Sequence, residues 1–244
     1  MKNLGAVLVV RLKSKRLKNK AILKINKNES AIEYIIKKLK KIFKKEQLIL
    51  ATSNLKKDLP LVDISTKLKI DYIQRNAVDV LKRIYFAAIK KNFKDILVCT
   101  GDNPLVDLNS IKEMITAHVK NKNDFTYSSD MPVGSYGWVL KVKSLKKILL
   151  TKKKADTEIW GDFFLKNKSM KCGNYQFYSQ KKKNIPMRLT LDTKEDLSLI
   201  KHVLNLSNTK FPNLVKIEKI LLANKNILKI NSQIKQKKKP KNIY

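Results

Sequence analysis

Leu4-Gly5-Ala6-Val7-Leu8-Val9-Val10 runs directly into Arg11-Leu12-Lys13-Ser14-Lys15-Arg16-Leu17-Lys18-Asn19-Lys20. The first stretch is apolar and rich in β-branched residues without polar alternation, the pattern of a strand buried on both faces of a parallel sheet. The second gathers guanidiniums, ammoniums and a hydroxyl at that strand's carboxyl end. Outward from this pair the same alternation continues. Ser30 to Phe43 has helical spacing, with Ile32, Ile35, Ile36, Leu39, Ile42 and Phe43 on one side and lysines on the other. Gln47 to Thr52 reads as a strand, Asp58 to Leu68 as a helix, Asp71 to Gln74 as a short strand, Val78 to Lys90 as a helix and Asp95 to Cys99 as a strand. This order predicts an α/β fold: a mostly parallel, Rossmann-like sheet with helices on both faces and ligands beyond the carboxyl ends of its strands.

After Asp107 a helix to about Val119 and a strand at Asp124 to Ser128 extend the pattern. The stretch from Met131 to Tyr178 is less regular and holds Pro132, Gly134, Gly137, Gly161 and Gly173, so residues 131–180 are expected to form a small inserted β-rich lobe that covers the site or makes a dimer. Arg188 to Leu191 reads as a returning strand, Lys194 to Leu206 as a helix, and the segment from Phe211 as helical. A single domain is expected over residues 1–234, with 235–244 a basic, disordered tail.

The formal net charge is +34, and its first reading is attraction to polyanions. Of the 54 basic residues, however, only Arg11, Arg16, Arg75, Arg83 and Arg188 are arginine. Lysine is spread over nearly every helix face, which reads as a solvated surface. Guanidinium gives planar, bidentate phosphate recognition that an ammonium does not copy, so the arginines carry more information than the total charge. Cys99 and Cys172 are too few and too far apart for a disulfide framework or a zinc site, and a reduced, cytoplasmic setting is expected. Neither a signal peptide nor a membrane span is read in the sequence.

Three blocks carry the chemistry. The Arg11 to Lys20 loop has the charge to hold phosphates, but it is not a Walker A loop, whose glycine spacing it lacks. Thr100-Gly101-Asp102-Asn103-Pro104-Leu105-Val106-Asp107 follows the strand DILVC and projects Asp102, a hard carboxylate, at the sheet edge where magnesium on nucleotide phosphates is held by one or two carboxylates; Asp107 reads as a helix cap. Arg188-Leu189-Thr190-Leu191-Asp192-Thr193-Lys194-Glu195-Asp196-Leu197 carries a capping-box pattern at Thr193 and Asp196. Asp192 alone reads as structural; paired with Asp102 it becomes a second magnesium ligand. His118 and His202 fall on helices in packing or surface roles.

In this order the blocks resemble the cytidylyltransferases that include the acylneuraminate and 3-deoxy-manno-octulosonate enzymes, and most closely the spore coat polysaccharide biosynthesis branch. The family's Arg-x-x-Ser-x-Arg-Leu-Pro-x-Lys loop is matched from Arg11 to Lys20, with Lys18 in place of the proline. Its Arg...Asp-Val-Leu-x-Arg-Tyr segment is matched by Arg75, Asp79, Val80, Leu81, Arg83 and, one place displaced, Tyr85. The other two blocks match from Thr100 to Asp107 and from Arg188 to Leu197. The resemblance implies transfer of CMP from CTP to a sugar acid or related sugar, with Mg2+ as cofactor and pyrophosphate released, for polysaccharide or glycan biosynthesis; a homodimer is compatible with it. It implies that Arg11, Ser14, Arg16 and Lys20 hold the nucleotide, with Arg75 and Asp79 near it. Arg11, Lys20 and Asp102 would form the catalytic set, Asp102 and Asp192 the metal pair, and Tyr136, Glu158 and Trp160 the acceptor pocket.

A glycosyltransferase consuming a nucleotide sugar ranks lower, because no Asp-x-Asp stands at a strand end. A basic nucleic-acid-binding module ranks lower again: aromatics are 7% of residues and no aromatic-basic stripe appears.

Overall fold

The computed structural model describes residues 3–153, 157, 160–178 and 186–235. β1 (Leu4–Val9) is buried along its whole length, as its continuous apolar run requires. α1 (Ala31–Leu39) starts at a capping box in which Ser30 and Glu33 satisfy each other's backbone N–H groups. β2 (Leu48–Ser53), α2 (Leu59–Lys67), β3 (Asp71–Arg75), α3 (Val80–Lys90), β4 (Asp95–Thr100) and α4 (Leu108–Lys120) continue the alternation. β5 (Phe125–Tyr127), β6 (Trp138–Lys141), α5 (Val142–Thr151), α6 (Asp162–Leu165), β7 (Cys172–Asn174), α7 (Lys194–Leu206), α8 (Leu214–Ala223) and α9 (Lys225–Lys229) complete the described elements.

The strands form one seven-stranded sheet in the order β3-β2-β1-β4-β6-β5-β7. β1 to β4 are parallel to one another, and β6 runs antiparallel between β4 and β5. Side chains alternate across this sheet. Val7, Val9, Ile49 and Ala51 face α3, α5 and α6, while Ala6, Leu8, Leu48 and Leu50 face α1, α2 and α4. A third apolar cluster joins α1 to α7 and α8 through Tyr34, Leu105, Leu191, Leu199 and Leu214.

Two stretches differ in detail from the sequence expectation. Strands β6 and β7, from the region expected to form a β-rich lobe, are members of the central sheet, and the same region supplies α5 and α6. Residues 188–191 form no strand; Arg188 makes a single isolated bridge to Val133. They cross the carboxyl end of the sheet, where their amides serve loops: Leu189 N–H donates to Val133 O at 2.8 Å and Leu191 N–H to Asp102 O at 2.7 Å. Gly134 permits this crossing. Its φ is +99° and a Cβ there would stand 2.2 Å from the Thr190 amide nitrogen.

Candidate active site

Parallel strands deliver their following loops to one edge, and there the structure assembles Arg16, Lys20, Asp102, Arg188 and Asp192. The loop after β1 is tied down at its root by Asp58, a fully buried carboxylate just before α2. Asp58 accepts the Leu12 N–H at 2.7 Å and the Ser53 hydroxyl from the end of β2. Further along, the Ser14 hydroxyl accepts the Leu17 N–H at 3.4 Å, so Ser14 shapes the turn. Asn19 takes a left-handed conformation, φ 55°, and turns the chain into the short helical turn that begins at Lys20.

Lys20 then reaches across the sheet edge. Its Nζ lies 2.6 Å from Asp102 Oδ2 and 2.5 Å from Asp192 Oδ1, so one ammonium joins two carboxylates brought from distant segments. Asp192 Oδ2 accepts from Arg16 at 2.8 Å and from Arg188 at 2.8 Å. Burial alone raises the Asp192 pKa, but the Lys20 ammonium, with Arg16 and Arg188, outweighs it and holds the carboxyl below its ordinary value. Burial likewise lowers Lys20, and the charges of Asp102 and Asp192 more than reverse this, leaving the ammonium above the usual lysine value. Lys20 and Asp192 are therefore both charged at neutral pH.

Behind Asp192 stands a hub centred on the capping-box residue of α7. Asp196, fully buried, accepts from the Asp192 N–H at 2.9 Å, the Thr193 N–H at 3.0 Å, Arg188 Nε at 3.0 Å and Asn231 Nδ2 at 2.8 Å. Asn231 also donates to Arg188 O at 2.9 Å. The capping box of α7 thus fixes the backbone that presents Asp192, and a residue beyond α9 braces it. Asp58 and Asn231 carry no motif signal, because each acts through groups far away in sequence.

On the other side of the loop, Arg11 donates to Ala77 O at 2.7 Å, and buried Arg83 donates to the carbonyls of Asn76 and Ala77 at 2.9 and 2.8 Å. The turn after β3 is thereby fixed against the first loop. Arg75 itself lies on the outer strand; its guanidinium sits 5.2 Å from the Phe86 ring centre and donates to Gln74 O, away from the carboxylate cluster. Asp79 is taken up structurally: it caps α3 by accepting the Lys82 N–H at 3.0 Å and pairs with Lys152 at 2.6 Å.

The expected acceptor residues divide three ways. The antiparallel pairing of Val98 with Trp138 sets Tyr136 at the carboxyl end of β4, level with Thr100, half-buried and edge-to-face with Trp138 at 5.5 Å. Trp160 is instead a core residue, 4% exposed, packed against Trp138 and Phe125 because the apolar wall under α6 needs its ring. Glu158 lies outside the described residues.

Among the described residues no group of three or more His, Cys, Asp and Glu side chains converges as a ready-made metal cage. Instead, two carboxylates share one ammonium and are flanked by the Arg16 and Arg188 guanidiniums, at the sheet edge where α/β folds of this type receive their ligands. A nucleotide-binding α/β enzyme is the class this geometry describes. The model of the family described as cytidylyltransferase matches residues 6–234, and the chain belongs to that family of nucleotidyltransferases. An uncharacterized protein of Methanocaldococcus jannaschii is 30% identical over 242 residues, 97% of each chain. The spore coat polysaccharide biosynthesis protein SpsF of Bacillus subtilis is 26% identical over 93% of this chain and 96% of its own. A solved cytidylyltransferase from Leptospira borgpetersenii superposes with a TM-score of 0.85 at 20% identity, covering 97% of this chain and 99% of that one. The CMP:2-keto-3-deoxy-manno-octonic acid synthetase solved with CTP shares the fold at a TM-score of 0.59 and 12% identity, over 84% of this chain and 99% of its own.

Proposed function

We propose that the protein transfers CMP from CTP to the hydroxyl of a sugar acid or related surface-polysaccharide sugar, releasing pyrophosphate, with Mg2+ as the metal. The observation that carries this reading is the Lys20 ammonium set between Asp102 and Asp192. A cation already stands where the two carboxylates converge, and hard oxygen ligands from one or two carboxylates suit Mg2+, which keeps waters and phosphate oxygens for the rest of its shell. Family membership supports nucleotidyl transfer, and the likeness to SpsF supports a polysaccharide sugar as acceptor.

In this mechanism Arg11, Arg16 and Lys20 bind the triphosphate and orient it for in-line attack at the α-phosphorus. Fixed cations next to the transferring phosphoryl group stabilise the charge that gathers on its oxygens without reorganising at the moment of reaction. Ser14 and Asp58 keep the loop in register. Asp102 and Asp192 would hold the magnesium, which supplies Lewis-acid neutralisation of the phosphate oxygens when bound. Tyr136 and Glu158 stand as acceptor-side residues by the family resemblance, and Trp160 supports that wall from beneath.

The test is pyrophosphate release measured with each of the four ribonucleoside triphosphates and a panel of eight- and nine-carbon sugar acids and neutral sugars, with and without Mg2+. Release that depends on CTP, on Mg2+ and on one of the acceptors is expected. Equal release with any triphosphate, or release unaffected by removing Mg2+, would overturn the reading.

A further inference from the structure

Asp79 meets more partners than a helix cap needs. Its Oδ1 accepts both the Lys82 N–H at 3.0 Å and the Thr157 hydroxyl at 3.1 Å, and its Oδ2 pairs with Lys152 at 2.6 Å. Thr157, fully buried, also accepts the Leu81 N–H at 3.0 Å. Lys152 and Thr157 therefore grip the first turn of α3 from the chain that follows α5. Immediately before that turn lie Asn76 and Ala77, whose carbonyls are held by Arg83, with Ala77 O shared by Arg11 of the phosphate-binding loop. Past Thr157 the chain leads to Trp160, which packs at 5.1 Å on Trp138, the neighbour of Tyr136. The Arg83 N–H also donates to Asp79 O at 3.2 Å, so a series of polar contacts joins Arg11 to Thr157 through Ala77 O, Arg83 and Asp79.

We propose that Asp79 is a positioning residue that couples the nucleotide loop to the acceptor wall: a nucleotide bound against the Arg11 loop holds the existing Arg11–Ala77 contact in place, and with it the grip of Asp79 on Lys152 and Thr157. This rests on the nucleotide reading given above. The coupling has a physical basis in three features. The contacts are short and largely buried, with Asp79 and Lys152 side chains only 12% and 9% exposed, so water does not screen them. The turn between them is rigidly held by two guanidiniums. And its two ends belong to different binding elements, so ordering one end lowers the cost of ordering the other.

The experiment combines calorimetric CTP-Mg2+ titration with amide hydrogen exchange of peptides spanning residues 150–160, on the full chain. In the parent, CTP-Mg2+ is expected to slow exchange in these peptides several-fold. Asp79→Asn keeps an oxygen for the α3 cap but loses the charge for Lys152; Lys152→Met and Thr157→Val leave the cap carboxylate intact. All three are expected to bind CTP within a few-fold of the parent while losing the nucleotide-dependent protection. With an active acceptor, their KM for it should rise more than kcat falls, whereas a purely structural defect would lower the melting temperature and leave the protection pattern in place. Two results would overturn the inference: parent-like protection in the folded variants, or unchanged exchange in a parent that binds CTP. A parent that binds no CTP fails the calorimetric arm and removes the nucleotide reading, and the inference with it.

Discussion

Asp102 and Asp192 share one ammonium, with Lys20 Nζ 2.6 Å from the first and 2.5 Å from the second. The arrangement makes a test that separates stability from chemistry. Asp102 has a 27% exposed side chain, so its pair with Lys20 adds little to folding in solvent-screened surroundings. Asp102→Asn should therefore melt within a few degrees of the parent. Its pyrophosphate release should fall by roughly 10²-fold or more, as when a group stabilising transferring charge is removed. Activity near the parent's would show that Asp102 is not part of the metal pair.

Asp58 sits outside every motif yet controls the loop those motifs describe. Asp58→Ala leaves the Leu12 N–H and the Ser53 hydroxyl without their buried acceptor, at a cost of about 1–3 kcal/mol. Because that acceptor anchors the root of the loop proposed to hold the triphosphate, CTP affinity should drop about tenfold as well, in line with the misplacement of a positioned group. Urea melts and CTP titration of the same preparation check both. Weakened folding with unaltered CTP affinity would confine Asp58 to a structural role.

Asn231 braces the Asp192 segment from behind through Asp196 and the Arg188 carbonyl, so on the proposed reading it orients a magnesium ligand. Asn231→Ala should raise the Mg2+ concentration needed for half-maximal activity by about 10–100-fold, the usual effect of removing a group that orients a metal ligand. A loss of activity that excess Mg2+ does not recover would instead point to general unfolding of the segment after α9.

The strand and helix alternation is legible in the sequence because β1 is apolar throughout, β2 and β4 carry continuous apolar runs, and α1 has a clear apolar side. What escapes it are features set by distant backbone. Residues 188–191 look like a strand, with Leu189 and Leu191 fully buried, but their amides bond to loop carbonyls at Val133 and Asp102. Local pattern records that a side chain is buried, not which partner takes the N–H. The same limit applies to the site. Motif spacing picks out Arg11, Arg16, Lys20, Asp102 and Asp192, whose chemistry is in their side chains; it passes over Asp58 and Asn231, which act largely on amides and carbonyls. Asp79 reads as nucleotide-binding because it lies within a motif, and in the structure its oxygens are committed to α3, Thr157 and Lys152.

Lys38 offers a prediction unconnected with the site. It lies on α1, 1% exposed, with its Nζ 3.5 Å from Pro212 O and 5.9 Å from the Tyr34 ring centre. Burial pushes its pKa down from 10.5 to about 8, against the opposing pull of Asp107 and Cys99. A lysine depressed in the folded state is charged in the unfolded chain up to its ordinary value. Between about pH 8 and 10.5 the unfolded chain therefore binds the extra proton, and this residue's contribution to stability rises with pH across that window. Below about pH 8 the folded protein bears the cost of a buried charge, at most about 3 kcal/mol for a lysine displaced this far. Lys38→Met keeps the length of the chain and removes the charge, so it should be more stable than the parent at pH 7. The advantage should shrink steadily toward pH 10, where the parent's lysine is already neutral when folded. Comparing the two proteins at each pH cancels the titration of the many surface lysines. Urea melts at pH 7, 8.5 and 10 make the comparison, and a difference that stays constant across the three would show that Lys38 is not held below its ordinary pKa.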